Sequence, residues 1–441
     1  MTLKDAGLAI WEAGLRAGHV RPLLRQALRF DGTRLSVGPA ALDLSAIGRL
    51  LVLGAGKAAG AMAQALEEIL GDRIAQGLVV VTDGHATSTR RIRVVEAGHP
   101  LPDARGLSAA QELLGLAGEA GAKDLVLALI SGGGSALTPA PVPPITLADK
   151  QALTRLLLDA GATIGELNAV RKHCSRFKGG QLAKTAAPAP VLSLILSDVV
   201  GDHLDVIASG PTAPDETTYA QALAILGRFE LHDRVPSSVR NHLENGARGE
   251  IPETPKAADL IFRGVVNHVI GNNVVVLNAA EMKARQLGFN PYLLSRSLQG
   301  EAREVARQFA DLARQIRTSG RPVSPPACVI AGGETTVRVR GAGKGGRCQE
   351  FCLAGALHLA GTRDVVLLAA GTDGSDGPTD AAGALADGLS VKRGEELGLD
   401  PAASLEENDS YRFFAALGDL VTTGPTHTNL LDLSLLLVGP A

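Results

Sequence analysis

The sequence predicts an α/β protein of two domains: a Rossmann-like parallel-sheet domain over residues 1–240 and a smaller α/β domain over 241–441. Three observations carry this. Apolar runs of strand length alternate with helix-length segments, the pattern of a sheet covered by helices. Several of those runs end directly in glycine-rich turns, where open α/β sheets bind ligands. The chain, at 441 residues, is also longer than one core usually serves.

Taken in order, residues 1–20 form an apolar pattern with charges inside it, which reads as an amphipathic helix and not as a signal peptide. LLVL (50–53), LVVV (78–81), IRVVEA (92–97), LVLALI (125–130) and VLSLIL (191–196) read as buried strands of a parallel sheet. AGAMAQALEEIL (59–70) and LADKQALTRLLLDAG (147–161) read as the helices between them. The segment 234–259 is polar and carries three prolines, so the domain division is placed inside it. Beyond it NHVIGNN gives a strand and turn, and EAREVARQFADLARQI (301–316) places Ala302, Val305, Phe309, Leu312 and Ile316 on one helix face. TSGRPVSPPA (318–327) is a connector, followed by the strand-like ACVIAGGE, TTVRVR and DVVLLAAG.

Composition narrows the function. A formal net charge of -3 without a long basic block, and only 3% aromatic residues, exclude nucleic acid as a main partner. No apolar run approaches the roughly 20 residues of a membrane helix. The four cysteines, Cys174, Cys328, Cys348 and Cys352, form no C-x-x-C pair, so neither a zinc ribbon nor a disulfide framework is expected, and a reducing cytoplasm is the expected compartment.

Chemistry concentrates at the turns. RLLVLGAGKAAG (49–60) ends a strand in Gly54 and Gly56, and fits the loose dinucleotide pattern G-x-G-x-x-G/A, with the acidic Asp83 after the next strand. Lys57 offers a second reading, an ammonium holding a phosphate, although the turn is not a P-loop because Ala58 follows the lysine. The plainer alternative is a tight turn of small residues. ALISGGGSAL (128–137) is a second strand and turn, in which the backbone of Gly132, Gly133 and Gly134 and the hydroxyls of Ser131 and Ser135 suit an anion. NAVRKHCSRFKGGQLA (168–183) gathers Asn168, Arg171, Lys172, His173, Arg176 and Lys178, either an anion-binding set or a solvated helix face. Asp198 and Asp202, just past a strand, are candidate Mg²⁺ ligands, with helix capping as the alternative for Asp198. In the second half, Glu334, Lys344, Arg347 and Glu350 cluster around GAGKGGRCQEF, where Arg347 opens a helix and is unfavourable unless an anion binds there. Asp373, Asp376 and Asp380 follow another strand in Asp-Gly turns. No G-x-S-x-G elbow and no H-E-x-x-H spacing occurs, and His85 and His99 read equally as loop or cleft histidines.

Eight of these motifs stand in order over nearly the whole chain: GAGKAA, AGHPLPD, SGGGSAL, RKHCSRFKGG, SDVVGDHLDVIASGPT, GGETTV with GKGGRCQEF, AAGTDGSDGPTDAAGA, and TGPTHTN. Together they resemble the glycerate 2-kinase family with its MOFRL C-terminal domain, whose members are often labelled hydroxypyruvate reductase. The resemblance implies a site in a cleft between two domains, and ATP-dependent, Mg²⁺-assisted phosphorylation of the 2-hydroxyl of D-glycerate. It also implies that Lys57 and Arg347 handle phosphate charge in catalysis and that SGGGS binds an anionic group. For such a transfer Asp198 or Asp202 is the expected holder of the metal or acceptor of the hydroxyl proton, with Asp373 and Asp376 as competing carboxylates. Glu334 and Asp373 count among the binding residues. A homodimer is the assembly kept open. Two positions depart from the family pattern: Cys348 stands where an asparagine is usual, and His427 where a glycine is usual. An NAD(P)H-dependent hydroxypyruvate reductase and a non-enzymatic sugar-phosphate-binding regulator remain the alternatives.

Overall fold

The computed structural model describes residues 1–38 and 40–440. The chain divides into two compact units, one of Val20–Ile270 and one of Met1–His19 with Gly271–Ala441. The division expected at 240/241 falls inside a helix, Ser237–Ala247, whose polar sequence still buries Val239, His242, Leu243 and Gly246.

In the unit Val20–Ile270 an antiparallel meander comes first, β1 (Leu28–Phe30), β2 (Arg34–Val37) and β3 (Ala40–Asp43). The main sheet follows: β4 (Leu50–Ala55), β5 (Ile74–Thr82), β6 (Ile92–Ala97), β7 (Leu125–Ile130), β8 (Val191–Leu196) and β9 (Val265–Gly271), in the order β6-β5-β4-β7-β8-β9. The strands from β6 to β8 pair in parallel. This is the doubly wound order, with the direction of winding reversing between β4 and β7. Every residue of β4, β7 and β8 is buried, because helices cover both faces of the sheet, which is why these strands read as unbroken apolar runs. Fully buried Leu51 and Leu53 each contribute about 1.5–3 kcal/mol of transfer free energy.

The second unit holds a mixed sheet of β10 (Asn290–Leu298), β11 (Ala327–Gly333), β12 (Val365–Gly371), β13 (Gly383–Asp387), β14 (Leu420–Val421) and β15 (Asp432–Val438), in the order β10-β11-β15-β12-β13-β14. Only the β10–β11 pairing is parallel. The N-terminal helix Leu3–Ala17 packs in this unit, started by a capping box on Thr2 and anchored by buried Trp11, whose indole N–H donates to the Ala370 carbonyl at 3.2 Å. The helix Ala302–Ser319 buries Ala302, Val305, Phe309 and Ile316 as its periodicity predicts, whereas Leu312 only packs against the core edge.

One expected strand is absent. TTVRVR makes a single bridge, Thr336 to Glu301, and its later amides turn to side chains: Arg338 N to Glu301 Oε1 at 3.1 Å and Arg340 N to Asn408 Oδ1 at 2.7 Å. With its donors satisfied this way the segment has no need of a partner strand.

Candidate functional site

The reversal between β4 and β7 opens a crevice at the carboxyl ends of the strands, the place where a doubly wound sheet takes ligands. Two turns meet there. The turn after β4 runs from Gly54 to Ala58, and the turn after β7 from Ser131 to Ser135. The Lys57 N–H donates to the Gly132 carbonyl at 2.9 Å, and the Ala58 N–H to Ser131 Oγ at 3.0 Å. Glycine is required at this approach. Gly56 has φ of +140°, and a methyl group there would stand 2.1 Å from Ser131 Oγ. A methyl on Gly133, itself at φ +83°, would lie 3.3 Å from Lys57 Cγ and 3.2 Å from the His99 ring, so the Lys57 stem and His99 both lean over that glycine. The His85 ring meets the Lys57 carbonyl at 3.0 Å.

Below the second turn, side chains lock Ser135 in place. Its hydroxyl bonds Ser209 Oγ, which in turn donates to Asn168 Oδ1 at 3.0 Å. Ala208 and Ser209 hold left-handed backbone, φ +50° and +61°, in the tight turn ending at Gly210. Strain of this kind in non-glycine residues gathers at functional sites. The Ser135 carbonyl accepts from Lys178 Nζ at 2.7 Å and from Arg171 Nη2 at 3.5 Å. The structure therefore brings Gly54, Gly56, Lys57, Ser131–Ser135, Asn168, Arg171 and Lys178 into one cluster. Neighbouring Lys172 and His173 stand apart: Lys172 pairs with Asp205 and Asp215, and His173 with the Ala169 carbonyl and Glu253.

Lys150 is a member that sequence reasoning missed. It comes from the helix Leu147–Asp159 and lines, with Arg171, His99 and Ser135, a cavity of about 530 Å³. The signal was present: Lys150 falls on the same helix face as buried Leu153 and Leu157. Asp198 and Asp202 follow β8, next to β7, and both are half-buried. Asp202 sits at φ +55°. Among the described residues no group of three or more His, Cys, Asp or Glu is arranged to hold a metal ion.

The other candidates lie in the second unit. Arg347 opens the helix Arg347–Leu359. Sequence alone predicts that an anion offsets its charge there, and protein carboxylates do so. Asp432 accepts Nε at 2.6 Å and Nη2 at 2.8 Å, and Glu334 meets Nη1 at 3.0 Å. Burial opposes the guanidinium charge, but Asp432 beside it holds the group well above its ordinary value. Asp376 is explained as a cap: its carboxylate accepts the Cys348 and Gln349 amides at 3.1 and 2.9 Å. Asp373 holds its own turn, accepting the Ser375 amide at 3.0 Å. The Cys348 side chain is packed in the apolar core, and all four cysteines are free and buried. His427 adopts φ +57°, the conformation that favours the glycine usual at that position.

Burial raises the Asp376 carboxyl to about 7, against the pull of the two amides. Its ordinary value is 3.8, so the folded state holds the proton more tightly than the unfolded chain. The stabilisation is complete below the ordinary value and is lost as pH rises through about 7. Relative to Asp376→Asn, the wild type is expected to lose melting temperature as pH is raised from acid to neutral. Parallel profiles for the two proteins would mean that the folded carboxyl ionises at its ordinary value.

Comparisons with known proteins bear on the family and the fold of the chain. Residues 7–244 match the family described as Domain of unknown function (DUF4147), and residues 327–432 match the MOFRL family. The chain is 39% identical over 439 residues to a protein of Pyrococcus horikoshii named glycerate 2-kinase, covering 99% of this chain and 98% of that one. It is 43% identical to a protein of Agrobacterium vitis named putative hydroxypyruvate reductase, covering 94% of each. The crystal structure of glycerate kinase (EC 2.7.1.31) from Thermotoga maritima superposes with a TM-score of 0.85 at 39% identity, covering 99% of each chain.

Proposed function

This chain belongs to the glycerate kinase family with the MOFRL domain, and on that premise we propose that it transfers the terminal phosphoryl group of ATP to the 2-hydroxyl of D-glycerate. The observation that supports the reading is the cationic crevice between β4 and β7, where the Lys57 stem leans over Gly133, two residues before Ser135, whose carbonyl holds Arg171 and Lys178. Phosphoryl transfer asks mostly for positioning and charge neutralisation, and cations at a rigid glycine turn supply both. Lys57 is assigned to the charge that develops on the moving group. Ser131–Ser135 and Asn168 are assigned to substrate or nucleotide. Arg347, held in orientation by Asp432, is the second cationic group assigned to phosphate, and Glu334 is the contact it can exchange, since that carboxylate is 50% exposed.

The donor chemistry near β8 fits Mg²⁺. Asp198 and Asp202 offer hard carboxylate oxygens, and one or two of these suffice when phosphates and water complete the shell. They are proposed as its ligands, with Asp198 also the candidate acceptor for the hydroxyl proton; the bound ion would supply charge neutralisation on the nucleotide. Asp373 is retained as a binding residue.

A reductase reading draws on the Agrobacterium vitis relative's name and on the doubly wound sheet. It needs an acidic residue after the second strand to take a ribose hydroxyl. Asp83 occupies that place, but it is already paired with Arg105, at 2.7 and 2.9 Å, so a ribose hydroxyl would have to share it with that cation. Incubation with ATP, Mg²⁺ and D-glycerate is expected to release ADP only when glycerate is present, with a phosphoglycerate as the other product. Oxidation of NADH by hydroxypyruvate without ADP release would replace the kinase by the reductase. Silence in both assays would leave a binding protein.

A further inference from the structure

The cavity beside Ser135 buries cations that packing does not explain. Lys150 is 2% exposed, and its Nζ, shielded from solvent, has no hydrogen-bond partner among the described residues. Arg171 Nε, also shielded, has none either. Lys178 is fully buried, and among the described residues its Nζ reaches only a carbonyl, that of Ser135. No carboxylate among the described residues pairs with any of the three, whereas Lys172, a single residue beyond Arg171, meets two. Taking an ammonium out of water without a counter-charge costs several kcal/mol. A leucine or methionine at 150 would fill the same space among Leu153 and Leu157 without that cost. Uncompensated charge facing a cavity is a feature kept for a ligand, and the ligand must be an anion.

Its form follows from the donors. Nε and Nη2 make one edge of the Arg171 guanidinium, the edge that takes two oxygens of a planar carboxylate side by side. A carboxylate has about four lone-pair sites, enough for that edge and an ammonium together. Both nitrogens are shielded from solvent on residues that line the cavity, and two such donors suit one small planar group better than a chain of phosphates.

We propose that Lys150 determines substrate class, binding together with the Nε edge of Arg171 the carboxylate of the hydroxy acid that is phosphorylated. This rests on the kinase reading for the identity of the acid. Charge supports it. Burial, and then Arg171, lowers the Lys150 ammonium to about 7. The groups facing it are Arg171, which burial lowers to about 10, Lys178, lowered well below its ordinary value by burial, and the Cys174 thiol, raised by burial to about 12. Lys150 is therefore brought near neutrality, Lys178 is lowered in the same direction, and His99, Arg155 and Asp159 line the same cavity. A bound carboxylate favours the charged form of Lys150, so acid affinity is highest below that midpoint and falls above it.

The test titrates the full-length protein by calorimetry with D-glycerate alone and with ATP alone, below and above the Lys150 midpoint. Lys150→Met is expected to weaken glycerate binding about ten-fold or more, the scale of one hydrogen bond to a charged group. It should leave ATP affinity unchanged and melt no lower than wild type. Wild type should lose glycerate affinity as pH rises, and Lys150→Arg, which stays charged, should lose much less. Absence of glycerate binding to wild type, unchanged binding in Lys150→Met, loss of ATP affinity instead, or equal pH profiles for wild type and Lys150→Arg would each overturn the proposal. Lys150-dependent glycerate binding in a protein that releases no ADP would refute the kinase and leave this site standing. Glycerate-dependent ADP release with an unchanged KM in Lys150→Met would do the reverse.

Discussion

Lys57→Ala is expected to lower kcat about 100-fold or more, the usual consequence of removing one preorganised charge from a transition state. That factor corresponds to about 2.7 kcal/mol of barrier. The expectation follows from where the lysine is held. Its backbone is pinned by the Gly132 carbonyl and the adjoining Ala58 amide by Ser131, so the side chain leaves a fixed point at the crevice between β4 and β7. A fixed charge needs little reorganisation during the reaction, which is why it acts on kcat more than on KM. Lys57 is half-buried at a turn, so truncation should change stability little, and a melting curve close to wild type is the control. Lys57→Arg should recover only part of the rate, because a planar guanidinium cannot reproduce the geometry of a compact ammonium. Near-normal ADP release by Lys57→Ala at saturating ATP and glycerate would remove Lys57 from the mechanism.

How far this site was legible depends on whether a residue's neighbours lie close in sequence. The strands β7 and β8 stand at the boundaries read from the chain, because a strand buried on both faces is an apolar run with abrupt ends; β6 keeps its bounds too, but as an edge strand it buries only Ile92 and Ala97, not the whole run expected. Gly54–Lys57 and Ser131–Ser135 were legible because glycines directly after such a strand have few other uses. The meander β1–β3 was not, since LRF, RLSV and AALD are too short to show alternation. TTVRVR showed alternation but spends its amides on Glu301 and Asn408, partners far along the chain. The N-terminal helix was recognised as a helix, yet its place beside Ala370 is a tertiary fact that no local pattern encodes. Lys150 was overlooked for a different reason. A lysine in a helix is ordinarily a solvated charge, and only its register with Leu153 and Leu157 marked it as buried. Asp432, the partner of Arg347, lies 85 residues from it, so the sequence indicated that an anion was needed without indicating which.

Arg347→Ala is expected to reduce both stability and turnover, and the two effects can be separated. Asp432 is 5% exposed, and without the arginine its carboxylate would be left with no partner from residue 347 and with the buried Asp376 close by. Breaking a buried ion pair from one side costs about 3–5 kcal/mol. The Arg347 side chain is 27% exposed, so water takes over part of its role and the low end of that range applies. A clear fall in melting temperature is therefore expected whatever the arginine does in catalysis. Asp432→Asn added to Arg347→Ala removes the stranded charge and should restore most of the melting temperature. If Arg347 only braces the helix Arg347–Leu359 against β15, the double variant should recover turnover along with stability. If it acts on phosphate, turnover stays low in a protein that melts like wild type. The single variant Asp432→Asn completes the cycle: it keeps the cation but loses one of the two charged hydrogen bonds that orient it. An intermediate kcat for that variant, with KM for ATP little changed, is the result expected of a positioning carboxylate. Wild-type kcat in Asp432→Asn would mean that the orientation Asp432 imposes on Arg347 has no part in the reaction.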